Sequence, residues 1–164
     1  MSMSSNLQQK FVSLPVLLRK LKSLRRRKKI AFTNGCFDIL HYGHARYLER
    51  AKTANRILVV GLNSDASVFQ LKGPGRPVTD QKARAGVLAA LQAVDFVVIF
   101  NEDTPQTLIE AVKPDVLIKG ADWKGKEIAG GAVVKSYGGK VEFIKFENGF
   151  STTQILEKFY KSSK

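Results

Sequence analysis

His41 and His44 are the only histidines in the 164-residue chain, and they lie three positions apart within residues 32–50, FTNGCFDILHYGHARYLER. Two imidazoles around Gly43 can donate hydrogen bonds to anionic oxygens, move a proton or bind a metal ion. A structural zinc site asks for four ligands, and the single cysteine, Cys36, leaves that set incomplete. Cys36 itself reads as a small buried residue beside a glycine turn in preference to a nucleophile. The turn TNGCFD runs into a helical pattern, so its backbone N–H groups face an anion where the helix dipole is positive. It has neither the GK[ST] of a Walker A loop nor the GxGxxG of a dinucleotide turn. Far downstream, Ser151 with Gln154 three residues on forms a capping-box pattern and leaves the N–H groups of Thr152 and Thr153 at a second helix start.

These groups need a frame that brings them together. Hydrophobic periodicity predicts strands over residues 28–34, 56–62, 93–100, 115–120 and 140–146, alternating with helices over 42–54, 79–92, 104–113, 128–137 and 151–161. The strands are continuously apolar, as expected when helices cover both faces of a parallel sheet. The predicted fold is therefore α/β, a doubly wound five-stranded parallel sheet whose ligands sit outside the carboxyl ends of the strands. Each predicted strand is followed by a polar cluster: TNGCFD, NSD, NEDTP, KGADW and ENGFSTT. Residues 63–78, NSDASVFQLKGPGRPV, read as one long irregular loop, and loops of that length are usually functional. Within these clusters Trp123 suits either a base or sugar platform or loop packing. Lys72 and Arg84 read equally well as solvated charges.

The net charge of +13 is unevenly distributed. Nine of the 27 basic residues lie between Lys10 and Lys29, and no acidic residue precedes Asp38. Val12, Leu14, Val16, Leu17, Leu18, Leu21 and Leu24 follow helical spacing, so residues 1–27 are expected to be a tail and a basic amphipathic helix attached to a domain over 28–164. A docked helix with a solvated basic face competes here with attraction of anionic substrates and with a nucleic-acid-binding module. The lack of interleaved aromatics argues against single-strand binding. One cysteine permits no internal disulfide, which points to the cytoplasm. No apolar run is long enough to span a bilayer, so membrane insertion is not expected.

The pair GCFDILHYGH and FSTTQIL, at the two ends of a five-stranded α/β pattern, resembles the nucleotidyltransferase α/β-phosphodiesterase superfamily, with its HxGH and ISSTxx-like boxes. Within it, LKGPGRPVTDQKARAGVLAALQAVDFVVIF and KPDVLIKGADW are similar to the adenylyltransferase domain of bacterial ADP-heptose synthesis, in lipopolysaccharide core formation. The resemblance covers about residues 28–160. It implies a Rossmann-like nucleotidyltransferase fold and transfer of AMP from ATP to D-glycero-β-D-manno-heptose 1-phosphate, with Mg²⁺ as cofactor and pyrophosphate as the second product. The alternative within the superfamily is an enzyme such as glycerol-3-phosphate cytidylyltransferase. It further implies a heptose kinase, expected as a separate protein, and a homo-oligomer.

By the same resemblance, His41, His44, Lys72 and Arg84 are the expected catalytic residues. Gly35, Cys36, Phe37, Gly43, Lys119, Gly120, Asp122, Ser151, Thr152 and Thr153 would meet the nucleotide and its phosphates. Asn63, Asp65 and Arg76 would meet the sugar phosphate, and Asp38 would help hold Mg²⁺. Two positions depart from the pattern: Ala121 stands where a second glycine is common, and Gly86 where an acidic residue is expected.

Overall fold

The computed structural model describes residues 5–147 and 149–162. Five parallel strands form one sheet: β1 (Lys29–Gly35), β2 (Arg56–Asn63), β3 (Phe96–Phe100), β4 (Val116–Gly120) and β5 (Lys140–Ile144), in the order β3-β2-β1-β4-β5. The chain builds outward from β1 to β3, then returns across it to β4. The direction reverses between β1 and β4, the place where doubly wound sheets open a crevice. The predicted fold class holds.

Both faces of the sheet are covered, which explains the unbroken apolar strands. On one side Phe32, Val59 and Leu117 pack with Leu17, Leu21, Ile109 and Val134; on the other Leu58, Val60 and Ile118 pack with Leu48, Ala85 and Leu88. The helices that supply these residues include α3 (Tyr42–Ala51), α5 (Gln81–Ala90), α6 (Gln106–Val112) and α7 (Gly131–Ser136). Edge strand β5 is only half buried, and α8 (Thr152–Ser162) follows it.

The loop expected over residues 63–78 contains a helix, α4 (Asp65–Lys72), and this corrects the sequence reading. Ser64 caps it, its Oγ accepting from the Ser67 N–H at 3.2 Å. No amphipathic period betrayed the helix, because Val68 is its one buried large apolar residue while Phe69 and Leu71 lie exposed. The irregular segment begins only at Gly73, whose φ of 82° suits glycine.

The basic N-terminal segment also differs from the single helix expected. It forms α1 (Ser5–Lys10) and α2 (Leu14–Leu24), separated where Phe11 bridges Val97 and the Val12 N–H donates to the Val97 carbonyl at 3.1 Å. The run of arginines lies beyond α2. Arg25 donates to the Lys113 carbonyl at 2.8 Å and to that of Val112, a cation on the last turn of α6. Leu17 and Leu21 are fully buried in the sheet's core. Removing residues 1–27 should therefore expose core surface worth about 2 kcal/mol for each leucine, and about 5 kcal/mol with Val12, comparable with a domain's whole stability. Circular dichroism and thermal melting of the truncated chain should show an unfolded or aggregated protein. No described helix is long and apolar enough to cross a membrane.

Candidate active site

A cleft of ≈ 730 Å³ opens at the carboxyl ends of the strands. Its floor is the β1–β4 seam, where buried Lys119 reaches across to the Asn34 side chain, Nζ to Oδ1 at 2.5 Å. Burial, the cause of the shift, lowers the Lys119 ammonium to a pKa of about 8. Its charge also lies 5.5 Å from the centre of the Trp123 ring, which carries Lys126 at 5.7 Å as well.

The two histidines stand at the start of α3. His41 is its N-cap: Nδ1 accepts from the His44 backbone N–H at 3.3 Å, which leaves the proton of the neutral ring on Nε2. The rings stack with centroids 3.8 Å apart. Gly43 makes this possible, since a Cβ there would lie 3.1 Å from both the His41 ring and Phe150. His44 also meets Phe37, centroids 5.0 Å apart, and Phe37 itself has a left-handed φ of 43°, a costly conformation for an aromatic residue. Nδ1 of His44 is buried and makes no hydrogen bond of good geometry among the described residues.

Burial, and then the neighbouring His41, hold His44 at a pKa of about 4, with the Ile39 backbone opposing; burial lowers His41 too. Both rings are neutral donors at pH 7. The depressed value has a stability consequence. The unfolded chain takes up a proton near pH 6.5 while the native site resists until about pH 4, so stability is complete above 6.5 and falls as pH drops between the two. Denaturant unfolding at pH 7 and pH 4.5 should show His44→Gln losing about 2 kcal/mol less than wild type over this interval.

The second helix start faces the first. Ser151 Oγ accepts from the Gln154 N–H at 3.1 Å, capping α8, and Thr152 Oγ1 donates to the Ile39 carbonyl at 3.4 Å. Phe150 packs on Tyr42, with centroids 5.1 Å apart. Two helix N-termini thus converge on one cleft, an arrangement suited to a polyanion. Lys72 and Arg76 also line the cleft.

Most residues singled out from the sequence line this cleft: Gly35, Cys36, Phe37, Asp38, His41, His44, Asn63, Lys72, Arg76, Lys119, Gly120, Asp122, Ser151, Thr152 and Thr153. Gly43 supports it from behind. Arg84 and Asp65 do not line it. Arg84 is buried and fully engaged, donating to the carbonyls of Thr79 at 3.0 Å and Cys36 at 2.5 Å and to Asp65 Oδ1 at 2.7 Å. These contacts clamp the turn after β1 to α4 and α5. Asp38 is committed as well: its carboxylate accepts from Arg76 and from the N–H groups of Val78 at 2.7 Å and Thr79 at 3.3 Å. No group of three His, Cys, Asp or Glu side chains gathers among the described residues. The expected role of Asp38 in holding Mg²⁺ therefore does not fit these contacts.

Burial raises the Cys36 thiol pKa, with Lys72 and the arginines opposing, which makes it a poor nucleophile. Gly86 faces open space, and nothing in the structure explains glycine there. Ala121 begins the 3₁₀ turn Ala121–Trp123 that carries Asp122. Sequence reasoning missed Asn34, Tyr47 and Phe146. Tyr47 bonds Thr33 through its hydroxyl at 2.8 Å and stacks on Phe146 at 4.8 Å, walling the cleft. The signal for Phe146 was Gly120, where a Cβ would come within 2.1 Å of that ring.

Comparison with known proteins adds to this geometry. A family model described as Cytidylyltransferase-like matches residues 32–158. The chain is 56% identical over 137 residues to a Geobacter metallireducens protein named "Bifunctional protein HldE", covering 84% of this chain and 28% of that one. A protein of the same name from Campylobacter jejuni subsp. doylei is 56% identical over 151 residues, covering 92% and 32%. The chain thus spans about a third of the length of these relatives. Among solved structures, the lipopolysaccharide core biosynthesis protein from Thermoplasma volcanium GSS1 superposes with a TM-score of 0.59 at 28% identity, over 73% of this chain and 96% of that chain. Pantoate-beta-alanine ligase from Francisella tularensis, with a TM-score of 0.60 at 15% identity over 94% and 78% of the two chains, shares the fold.

Proposed function

The chain belongs to the cytidylyltransferase-like family of nucleotidyltransferases, and on that premise we propose that it transfers AMP from ATP to D-glycero-β-D-manno-heptose 1-phosphate. The observation that carries the reading is the convergence of two helix N-termini, with His41 and His44 on one and Thr152 and Thr153 on the other, on a single cleft. An oxygen of the sugar phosphate attacks the α-phosphorus of ATP. The new P–O bond forms as the bond to the bridging α–β oxygen breaks, and pyrophosphate leaves with that electron pair.

The attacking phosphate has a second pKa near 6 and is already ionised at neutral pH, so no general base is required. The barrier lies in gathering anions and in stabilising charge on the leaving pyrophosphate, the work of fixed donors and cations. Neutral His41 and His44 supply N–H donors, the two helix starts supply backbone amides, and Lys72, Arg76 and Lys119 supply positive charge. Mg²⁺ enters with the triphosphate as part of the substrate. The heptose assignment rests on the resemblance of KGPGRP and LIKGADW, and the similar solved structure of a lipopolysaccharide core biosynthesis protein supports it. A kinase acting at the anomeric position would supply the acceptor, and cytoplasmic ATP the donor.

Nucleotide choice tests the assignment against a cytidylyltransferase. Pyrophosphate release, measured across the four nucleoside triphosphates with heptose 1-phosphate or glycerol 3-phosphate as acceptor, should favour ATP over CTP by at least about tenfold, or about 1.4 kcal/mol. Equal or better use of CTP with glycerol 3-phosphate would replace the heptose reading.

A further inference from the structure

Arg76 stands on the cleft rim in a segment with little structure of its own, residues 73–80, where Gly73 and Gly75 both have positive φ. Such a segment alone would hold a guanidinium loosely. Residues 76–79 are fastened chiefly by one residue. Asp38, with its side chain 1% exposed, accepts from Arg76 Nε through one carboxylate oxygen and from the Val78 and Thr79 N–H groups through the other. Its backbone carbonyl accepts from Thr79 Oγ1 at 2.6 Å. The Arg84 clamp pins the Thr79 carbonyl from the other side.

The contact to Arg76 uses Nε only. Among the described residues its two terminal nitrogens have no hydrogen-bond partner, so the bond that fixes the guanidinium plane leaves the outer fork free. We propose that Asp38 is a positioning residue, a latch that ties residues 76–79 to the end of β1 and aims the Arg76 fork at the phosphate of the acceptor. This deepens the proposed function and rests on it. The latch partly offsets the charge of Arg76, so its contribution is geometry and not field strength. Loss of Asp38 frees a cation but scatters it.

The test is Asp38→Asn, which keeps the size and the amide contacts' acceptor oxygen but loses the charged bond to Arg76. Acceptor KM should rise about tenfold or more, the loss of one charge-assisted bond, while nucleotide Kd by calorimetry stays within about threefold and the melting curve remains cooperative. Acceptor KM within about twofold of wild type, or equal weakening of both substrates, would overturn the latch. If Asp38→Asn does not fold, Arg76→Lys decides: it keeps the charge without the Nε–H, and a normal acceptor KM would overturn the proposal. A wild-type protein inert toward heptose 1-phosphate would refute the functional reading instead. The latch is then read with inorganic phosphate, whose Kd should rise about tenfold in Asp38→Asn; an unchanged Kd would overturn it.

Discussion

His44→Ala is expected to lower kcat by about 10²–10³-fold, the effect of removing one preorganised donor from a site that stabilises developing charge. On the proposed mechanism the ring is preorganised, being stacked on His41 and backed by Phe37. Because charge on pyrophosphate grows as the reaction proceeds, the donor matters more in the transition state than in the bound ground state. Nucleotide affinity should weaken much less, being shared with Lys72, Lys119 and the α8 helix start. At pH 7 the neutral ring adds little to folding, so the melting temperature should move only slightly. Steady-state kinetics, nucleotide titration and a melting curve on one preparation check all three. A well-folded variant with near-normal kcat would remove His44 from the catalytic machinery.

Arg84→Ala should show the opposite balance, with stability falling by about 2 kcal/mol or more. Deletion leaves the carbonyls of Cys36 and Thr79 without their donor and Asp65 without its cation. Those groups join the turn after β1, the start of α4 and the start of α5, so the cleft wall loosens with the fold. Denaturant unfolding should reveal the loss, and activity measured well below the melting point should fall by less than in His44→Ala. A stable Arg84→Ala protein with kcat reduced a thousandfold would mean that Arg84 reaches the phosphates after all. Arg84→Lys should not rescue stability, because one ammonium cannot replace three directed guanidinium bonds.

The alternation of strands and helices was legible because burial on both faces writes itself as continuous apolar runs such as ILVVGL, and every polar cluster then fell at a carboxyl end. The two helix starts at the cleft were legible from local chemistry, a glycine-containing turn and a serine cap. Helix α4 was not, since a helix burying little apolar surface leaves no period to read. The surroundings of the two cations were not legible for a related reason. Lys72 and Arg84 look alike in the sequence, but one ends an exposed helix at the cleft and the other lies inside the protein, and only long-range contacts separate them. Asp38 illustrates the same limit, because its partners lie 38–41 positions away.

The most direct test of the central claim is the product itself. The purified chain, incubated with MgATP and D-glycero-β-D-manno-heptose 1-phosphate and analysed by mass spectrometry with parallel pyrophosphate detection, should yield ADP-heptose and pyrophosphate in equal amounts. Formation should cease when either substrate is left out. Pyrophosphate without the sugar nucleotide, or neither product from a folded protein that binds ATP, would contradict the account.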